Sequence, residues 1–215
     1  MKQLATKKFH NSMIVKPPKL ARLFSKNTIW KVDVQNKQLF LTFDDGPVPG
    51  LTPWVLDILD QFDAKATFFC VGDNVRKNPE LFNLILNKGH QVGNHTYSHL
   101  NGFRTGIRRY VLDVLKAKQY INSKLFRPPY GRIRYVAQRI LRKRFEIVLW
   151  DVLSMDYDRN TQPGQVVRNV IANASPGSII VFHDNPKADK NLKYALPRLL
   201  DYYSKRGYEF VPLPQ

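Results

Sequence analysis

At 215 residues the chain can bury one substantial core, and 43% hydrophobic with 24% charged residues excludes a disordered or fibrous chain. No run approaches the roughly 20 apolar residues a membrane-crossing helix needs. The N-terminal lysines lack the apolar stretch of a secretory signal, and a single cysteine, Cys70, excludes an intrachain disulfide framework. From these absences a cytoplasmic location is the expectation.

Residues 1–31 carry Lys2, Lys7, Lys8, Lys16, Lys19, Arg22, Lys26 and Lys31 with no acid, and Pro17-Pro18 interrupts them. Residues 1–36 therefore read as an irregular basic arm and 37–215 as the folded domain, with Trp30 placed to pack one on the other. Residues 37–43 are a β-rich run that stops at Asp44-Asp45-Gly46-Pro47. Thr52-Pro53 opens a helix, residues 66–71 form an apolar strand containing a buried, reduced Cys70, and a helix from Pro79 stops at Gly89. A short strand over 91–93 precedes a helical pattern over 107–123. Strands at 125–127, 146–152, 178–182 and 208–211 then alternate with helices over 133–144, 163–174 and 192–206. Strict alternation over about seven strands predicts an α/β fold with a parallel sheet and helical crossovers, open or closed as a barrel.

The polar clusters fall where such a fold builds its sites. Asp44-Asp45, then His95 and His99, Arg127 to Gly131, Asp156, and His183-Asp184 each follow the C-terminal end of a predicted strand, and those ends share one face. A carboxylate and two histidines spaced by four residues can supply three ligands to one divalent ion and leave a position open for water. No Glu follows His95, so the His-Glu-x-x-His arrangement of metalloproteases is absent, and a base must come from elsewhere, with Asp44 or Asp45 available. His90, beside Gly89 just before a strand, reads as structural. Asp184 is a candidate cap or brace for the loop after His183, and Asp151 is either a site-lining residue or simply a polar strand terminus.

In order along the chain, Thr42-Phe43-Asp44-Asp45-Gly46-Pro47, His95-Thr96-Tyr97-Ser98-His99, Arg127-Pro128-Pro129-Tyr130, Asp156-Tyr157 and Phe182-His183-Asp184 resemble the five motifs of the NodB-like polysaccharide deacetylases, carbohydrate esterase family four. The resemblance covers residues 38–213 and implies a distorted (β/α) barrel of about seven parallel strands. It implies a hydrolase that removes N-acetyl groups from amino-sugar residues of a poly- or oligosaccharide. It assigns Asp45, His95 and His99 to a divalent metal, zinc foremost. Asp44 is then the general base, Arg127 the group that holds it, His183 the general acid, Asp156 its orienting partner, and the Tyr130 backbone N–H an oxyanion donor. These roles match what amide hydrolysis needs: a polarised carbonyl, a fixed donor for the oxyanion and a protonated leaving amine.

The sequence departs from the family at Leu153, where the fourth motif has Asp, at Tyr157 in place of Trp, and at Val181 in place of Leu. These positions touch the acyl or sugar pocket, so the reaction class is better specified than the substrate. A deacylase of small amino-sugars, a non-catalytic glycan-binding domain and an Fe(II) oxygenase remain as alternatives. The net charge of +17 favours an anionic partner, and the arm is suited to peripheral association with a membrane surface. Zinc-finger spacing, an RNA-binding aromatic signature and a P-loop are missing, so no nucleic acid is expected. Nothing in the sequence sets an oligomeric state.

Overall fold

The computed structural model describes residues 15–18 and 27–214. Its elements are β1 (Thr28–Ile29), β2 (Gln38–Asp44), α1 (Leu51–Gln61), β3 (Thr67–Cys70), α2 (Gly72–Lys77), α3 (Pro79–Asn87), β4 (Gln91–Asn94), α4 (Ile107–Ala117), β5 (Leu125–Phe126), α5 (Tyr135–Leu141), β6 (Glu146–Val148), β7 (Val152–Leu153), α6 (Pro163–Ile171), β8 (Ile179–His183), α7 (Asp189–Ser204) and β9 (Glu209–Phe210). The strands run parallel in the order β1-β6-β5-β4-β3-β2-β8-β7, and β9 adds to the start of β2. This is the parallel α/β sheet that the alternation predicts, curled into a half-barrel of the kind the family resemblance implies.

One predicted strand, 146–152, is divided. Its first half, β6, pairs with β5 and β1, and its second half, β7, pairs with β8. The chain changes partners within three residues: Leu149 N–H donates to Ile29 O at 2.8 Å and Asp151 N–H to Ile179 O at 3.0 Å. This exchange curls the sheet back on itself, because a segment shared by β5 and β8 joins the two sides of the order. The segment expected as an arm contributes β1 to the sheet, and Val15 is buried in the main core. A two-residue strand has no period to read. Residues 1–14 and 19–26 of the arm lie outside the described residues.

Helix α4 ends at Ala117, six residues before the predicted limit. There Tyr120 and Ile121 both donate to Ala117 O, a turn that drops Ile121 into the core and aims the chain at β5. Helix α7 starts at Asp189, earlier than the apolar pattern suggests, and accommodates Pro197 in its interior.

Alternation along the strands sorts side chains into two layers. On β2, Leu39, Leu41 and Phe43 face the helices, whereas Phe40 points into the barrel with Phe69, Leu125 and Ile179. The same inward parity leads upward from Phe40 to Thr42 and Asp44, and from Leu125 to Arg127. It also leads from Gly93 to His95, and Gly93 has no room for a side chain: a Cβ there would meet the Phe69 ring at 2.5 Å. An apolar floor and a polar mouth therefore arise from one register.

On the outer layer Phe43 is fully buried and stacks on Phe68 and Phe182, with ring centroids 5.0 and 6.0 Å away. Phe43→Ala is expected to cost about 3–5 kcal/mol of folding stability, seen as a lower urea midpoint at unchanged slope.

Candidate active site

Asp44 ends β2 and is the register partner of His183 on β8, so the two side chains lie side by side on the inner face of neighbouring strands. Arg127, from just past β5, reaches across the barrel interior to Asp44. Its Nη1 donates to Asp44 Oδ1 at 2.7 Å and to Thr42 Oγ1 at 2.8 Å, and its Nη2 to Leu149 O at 3.0 Å. The guanidinium is fully buried and lies 4.0 Å from the centroid of the Phe69 ring. A charge in that position requires a carboxylate partner, and Asp44 supplies it.

Asp45, one residue on, takes φ 84° and so turns its side chain away from Asp44. Its Oδ1 lies 3.0 Å from His99 Nε2 and 3.6 Å from His95 Nε2. One ligand atom from each of the three residues lies within 4.8 Å of the others. Asp45 Oδ1 is buried without an aligned hydrogen-bond donor. His95 Nδ1–H donates to Arg127 O at 2.8 Å, which leaves the Nε2 lone pair facing Asp45. Burial lowers the His95 pKa to about 4, only partly offset by Asp44, so this imidazole is neutral at pH 7. Burial also opposes charge on Asp45, yet contact with His99 and the fields of His183 and His95 hold it well below the usual carboxylate range. Two imidazoles and a carboxylate converging on an orphaned oxygen form a donor set suited to a divalent cation.

His183 is oriented by Asp156, which is buried at the loop after β7. His183 N–H donates to Asp156 Oδ2 and Nδ1–H to Oδ1, each at 2.8 Å. Burial works against the imidazolium, but Asp156, with Asp45 and Asp44 beyond it, raises the His183 pKa to about 9. Tyr130 takes φ 61° and its ring packs edge-on against His99, with the hydroxyl oxygen 3.2 Å from His99 Nδ1. Beside Tyr130 a cavity of about 220 Å³ is lined by Trp30, Trp150, Leu149, Pro17 and Pro18.

A family model described as polysaccharide deacetylase matches residues 31–144. A peptidoglycan-N-acetylglucosamine deacetylase of Bacillus cereus is 35% identical over 194 residues, which is 86% of this chain and 91% of that protein. The chain belongs to the polysaccharide deacetylase family, carbohydrate esterase family four. A chitooligosaccharide deacetylase of Bradyrhizobium is 34% identical over 83% of this chain and 90% of its own length. The crystal structure of the Bc1960 peptidoglycan N-acetylglucosamine deacetylase superposes with a TM-score of 0.81 at 30% identity, over 92% of this chain and 95% of that one. The protein is thus a polysaccharide deacetylase with the family's half-barrel, and Asp45, His95 and His99 give it a cluster able to hold the metal on which the family depends.

All eight residues singled out in the sequence lie at this mouth. At the departures from the family motifs, Leu153 is buried in the apolar core, where a carboxylate would be unpaired, and Val181 is buried beside it in register. Tyr157 packs its ring edge-on against His183, with centroids 4.7 Å apart. His90 is structural: its Nδ1 accepts from Ala66 N–H, and burial lowers its pKa to about 4. Asp151 lies at the start of β8, where it accepts from Ser178 Oγ at 2.6 Å.

Two supporting residues acquire their partners only in the fold. Asp184 accepts from Gly46 N–H at 2.9 Å and from Thr52 Oγ1 at 2.5 Å, bracing the loop that carries Asp45. A Cβ on Gly46 would lie 2.0 Å from the Asp184 carboxylate, so this contact demands glycine. Burial pushes the Asp184 pKa up to about 8, with the Thr52 hydroxyl pulling the other way. Asn185 Nδ2 donates to Asp45 Oδ2 at 2.5 Å and so turns Oδ1 toward the histidines. An Asn two residues after a motif His carries no sequence signal of that job. Partners of this kind tune metal affinity about 10–100-fold. Asn185→Ala is therefore expected to weaken zinc binding by that factor in competition with a chromophoric chelator, while the fold by circular dichroism stays unchanged.

Proposed function

We propose that this enzyme hydrolyses the N-acetyl group of N-acetylglucosamine units in a cell-wall-type glycan, such as peptidoglycan or chitooligosaccharide. The substrates in the names of its relatives support that class. The observation that carries the reading is the juxtaposition of a braced carboxylate, Asp44, and a carboxylate-paired imidazole, His183, on register-matched residues beside the Asp45–His95–His99 cluster. A binding module has no use for both a base and a matched acid.

The three ligands would hold a divalent ion, zinc by the chemistry of the donor set, which when bound polarises the acyl oxygen and acidifies water. The chain's own groups then divide the proton transfers. Asp44, its Oδ1 fixed by Arg127, takes a proton from the attacking water as the new C–O bond forms. The Tyr130 backbone N–H, at the mouth beside His99, is the donor proposed for the oxyanion. As the C–N bond breaks, the amine nitrogen receives a proton from His183 Nε2, which points away from Asp156 because Nδ1 is committed to it. A pKa of about 9 keeps His183 protonated at neutral pH, the state an acid must start from.

Acetate release from N-acetylglucosamine oligomers tests this reading. Asp44→Asn should lower kcat at least about 100-fold, the usual contribution of a general base, while zinc still binds stoichiometrically. Full activity in that variant would remove Asp44 from the mechanism. Zinc binding without acetate release from any such oligomer, even by wild-type protein, would redirect the search to other acyl amides.

Asp156→Asn makes a separate prediction. The protonated His183 is the active form, so activity declines as pH rises through its pKa. Without the Asp156 charge that pKa falls, and the alkaline limb of the pH–kcat profile should move to lower pH. An unmoved limb would mean that another group sets it.

A further inference from the structure

We infer that the outward faces of α4 and α5 form a docking surface for an anionic lipid bilayer, placing the active-site mouth beside the membrane. This does not depend on which glycan is the substrate. Between His99 and Phe145 the sequence carries thirteen Lys and Arg residues against a single acid, Asp113, out of 34 basic residues in the chain. Among the described residues, six of the eight exposed large hydrophobic side chains lie in or beside the same two helices. The one acid, half-buried at the edge of the groove beside α4, is already engaged: its carboxylate accepts from the backbone N–H groups of Tyr97 and Ser98. Neither charge nor exposed apolar surface is needed there to hold the fold together, because Ala137 and Leu141 on α5 and Tyr110 and Val114 on α4 already pack inward.

Helical spacing brings the two kinds of group onto one face. Tyr135, Val136, Arg139, Ile140 and Lys143 recur at intervals of one, three and four residues opposite Ala137 and Leu141, and all five are exposed. Tyr135 is 69% exposed, and Arg139 lies 5.9 Å from its ring centroid. On α4 the outward positions are Arg108, Arg109, Leu112 and Lys116, beside an open groove of about 630 Å³. The helices are tied at one end by Arg134 Nη2, which donates to Phe103 O at 2.7 Å and leaves the Phe103 ring exposed. Tyr130, 59% exposed and packed on His99, continues this surface to the mouth of the site.

Cations interleaved with aromatic and aliphatic side chains on a helix face are what an anionic lipid surface binds: the headgroups take the charges and the acyl boundary takes the apolar groups. A second copy of the chain would bring two positive faces together. A polyanion in water would reward the arginines but gain nothing from Val136, Ile140 and Leu112.

Vesicle flotation with the full chain tests the inference, using equimolar phosphatidylglycerol and phosphatidylcholine against phosphatidylcholine alone. Binding is expected only to the anionic vesicles. The pair Arg139→Gln with Lys143→Gln should lower partitioning about 25-fold, at about fivefold per cation near the surface. The pair Val136→Ser with Ile140→Ser should lower it as well, with acetate release from a soluble oligomer and the melting temperature unchanged in both. Wild type and both variants floating alike would overturn the inference, as would no flotation of wild-type protein. Unchanged flotation of the apolar pair together with full displacement by soluble polyphosphate would also overturn it, in favour of a polyanion ligand.

Discussion

The site depends on one buried charge. Arg127 is the largest fully buried side chain, and a guanidinium inside a barrel otherwise floored by Phe40, Phe69 and Leu125 must be paired and hydrogen-bonded to be tolerated. Thr42, Asp44 and Leu149 O meet that demand at Nη1 and Nη2 from two sides of the barrel, and Nε alone is left without a partner. The same residue's carbonyl oxygen accepts the His95 Nδ1–H and so fixes which imidazole nitrogen faces Asp45. Side chain and main chain of one arginine thereby position both the carboxylate and a candidate metal ligand. Loss of the Arg127 side chain would strand Asp44 without its charged partner, while the main-chain carbonyl that holds His95 would remain.

The loops above this layer are held in conformations that side-chain-bearing residues seldom adopt. Asp45, Thr96, His99, Tyr130 and Met155 all have positive φ, five of the seven such non-glycine residues among those described. Such conformations cost of order 1–3 kcal/mol each and persist only where the surroundings over-determine them. The surroundings here are specific: Asn74 Nδ2 donates to Asp45 O at 2.7 Å, Asp184 clamps Gly46, and Asn94 Oδ1 accepts from Thr96 N–H. Strain in the loops is offset by bonds from rigid elements, and the donor atoms are held in place before any ligand arrives.

Charge is distributed by the same division of labour. The acids that matter face inward at the mouth, paired with Arg127, His99 and His183, while the basic excess lies outside, most densely on α4 and α5. No helix among the described residues is long and apolar enough to cross a membrane. The docking face inferred for α4 and α5 requires no such helix.

The sequence alone determined the alternation of strands and helices, the parallel sheet and the residue types at the strand ends. These are period and composition effects, local along the chain. It also identified Asp44, Asp45, His95, His99, Arg127, Tyr130, Asp156 and His183 as a group, because their spacing places each just past a strand and their motifs are dense. Tertiary structure decided what spacing cannot carry. The split of 146–152 into β6 and β7, and the recruitment of Thr28–Ile29, follow from closing a curved sheet whose backbone groups must all find partners. Asn185 and Asp184 gain their roles only when β8 lies against β2, since their partners are Asp45 and Gly46, about 140 residues away along the chain. Leu153 fills a core position that lies beside β8 in the folded sheet, and a motif comparison registers only a missing carboxylate. Two helices separated by a strand become one basic, partly apolar surface only because the barrel packs them side by side.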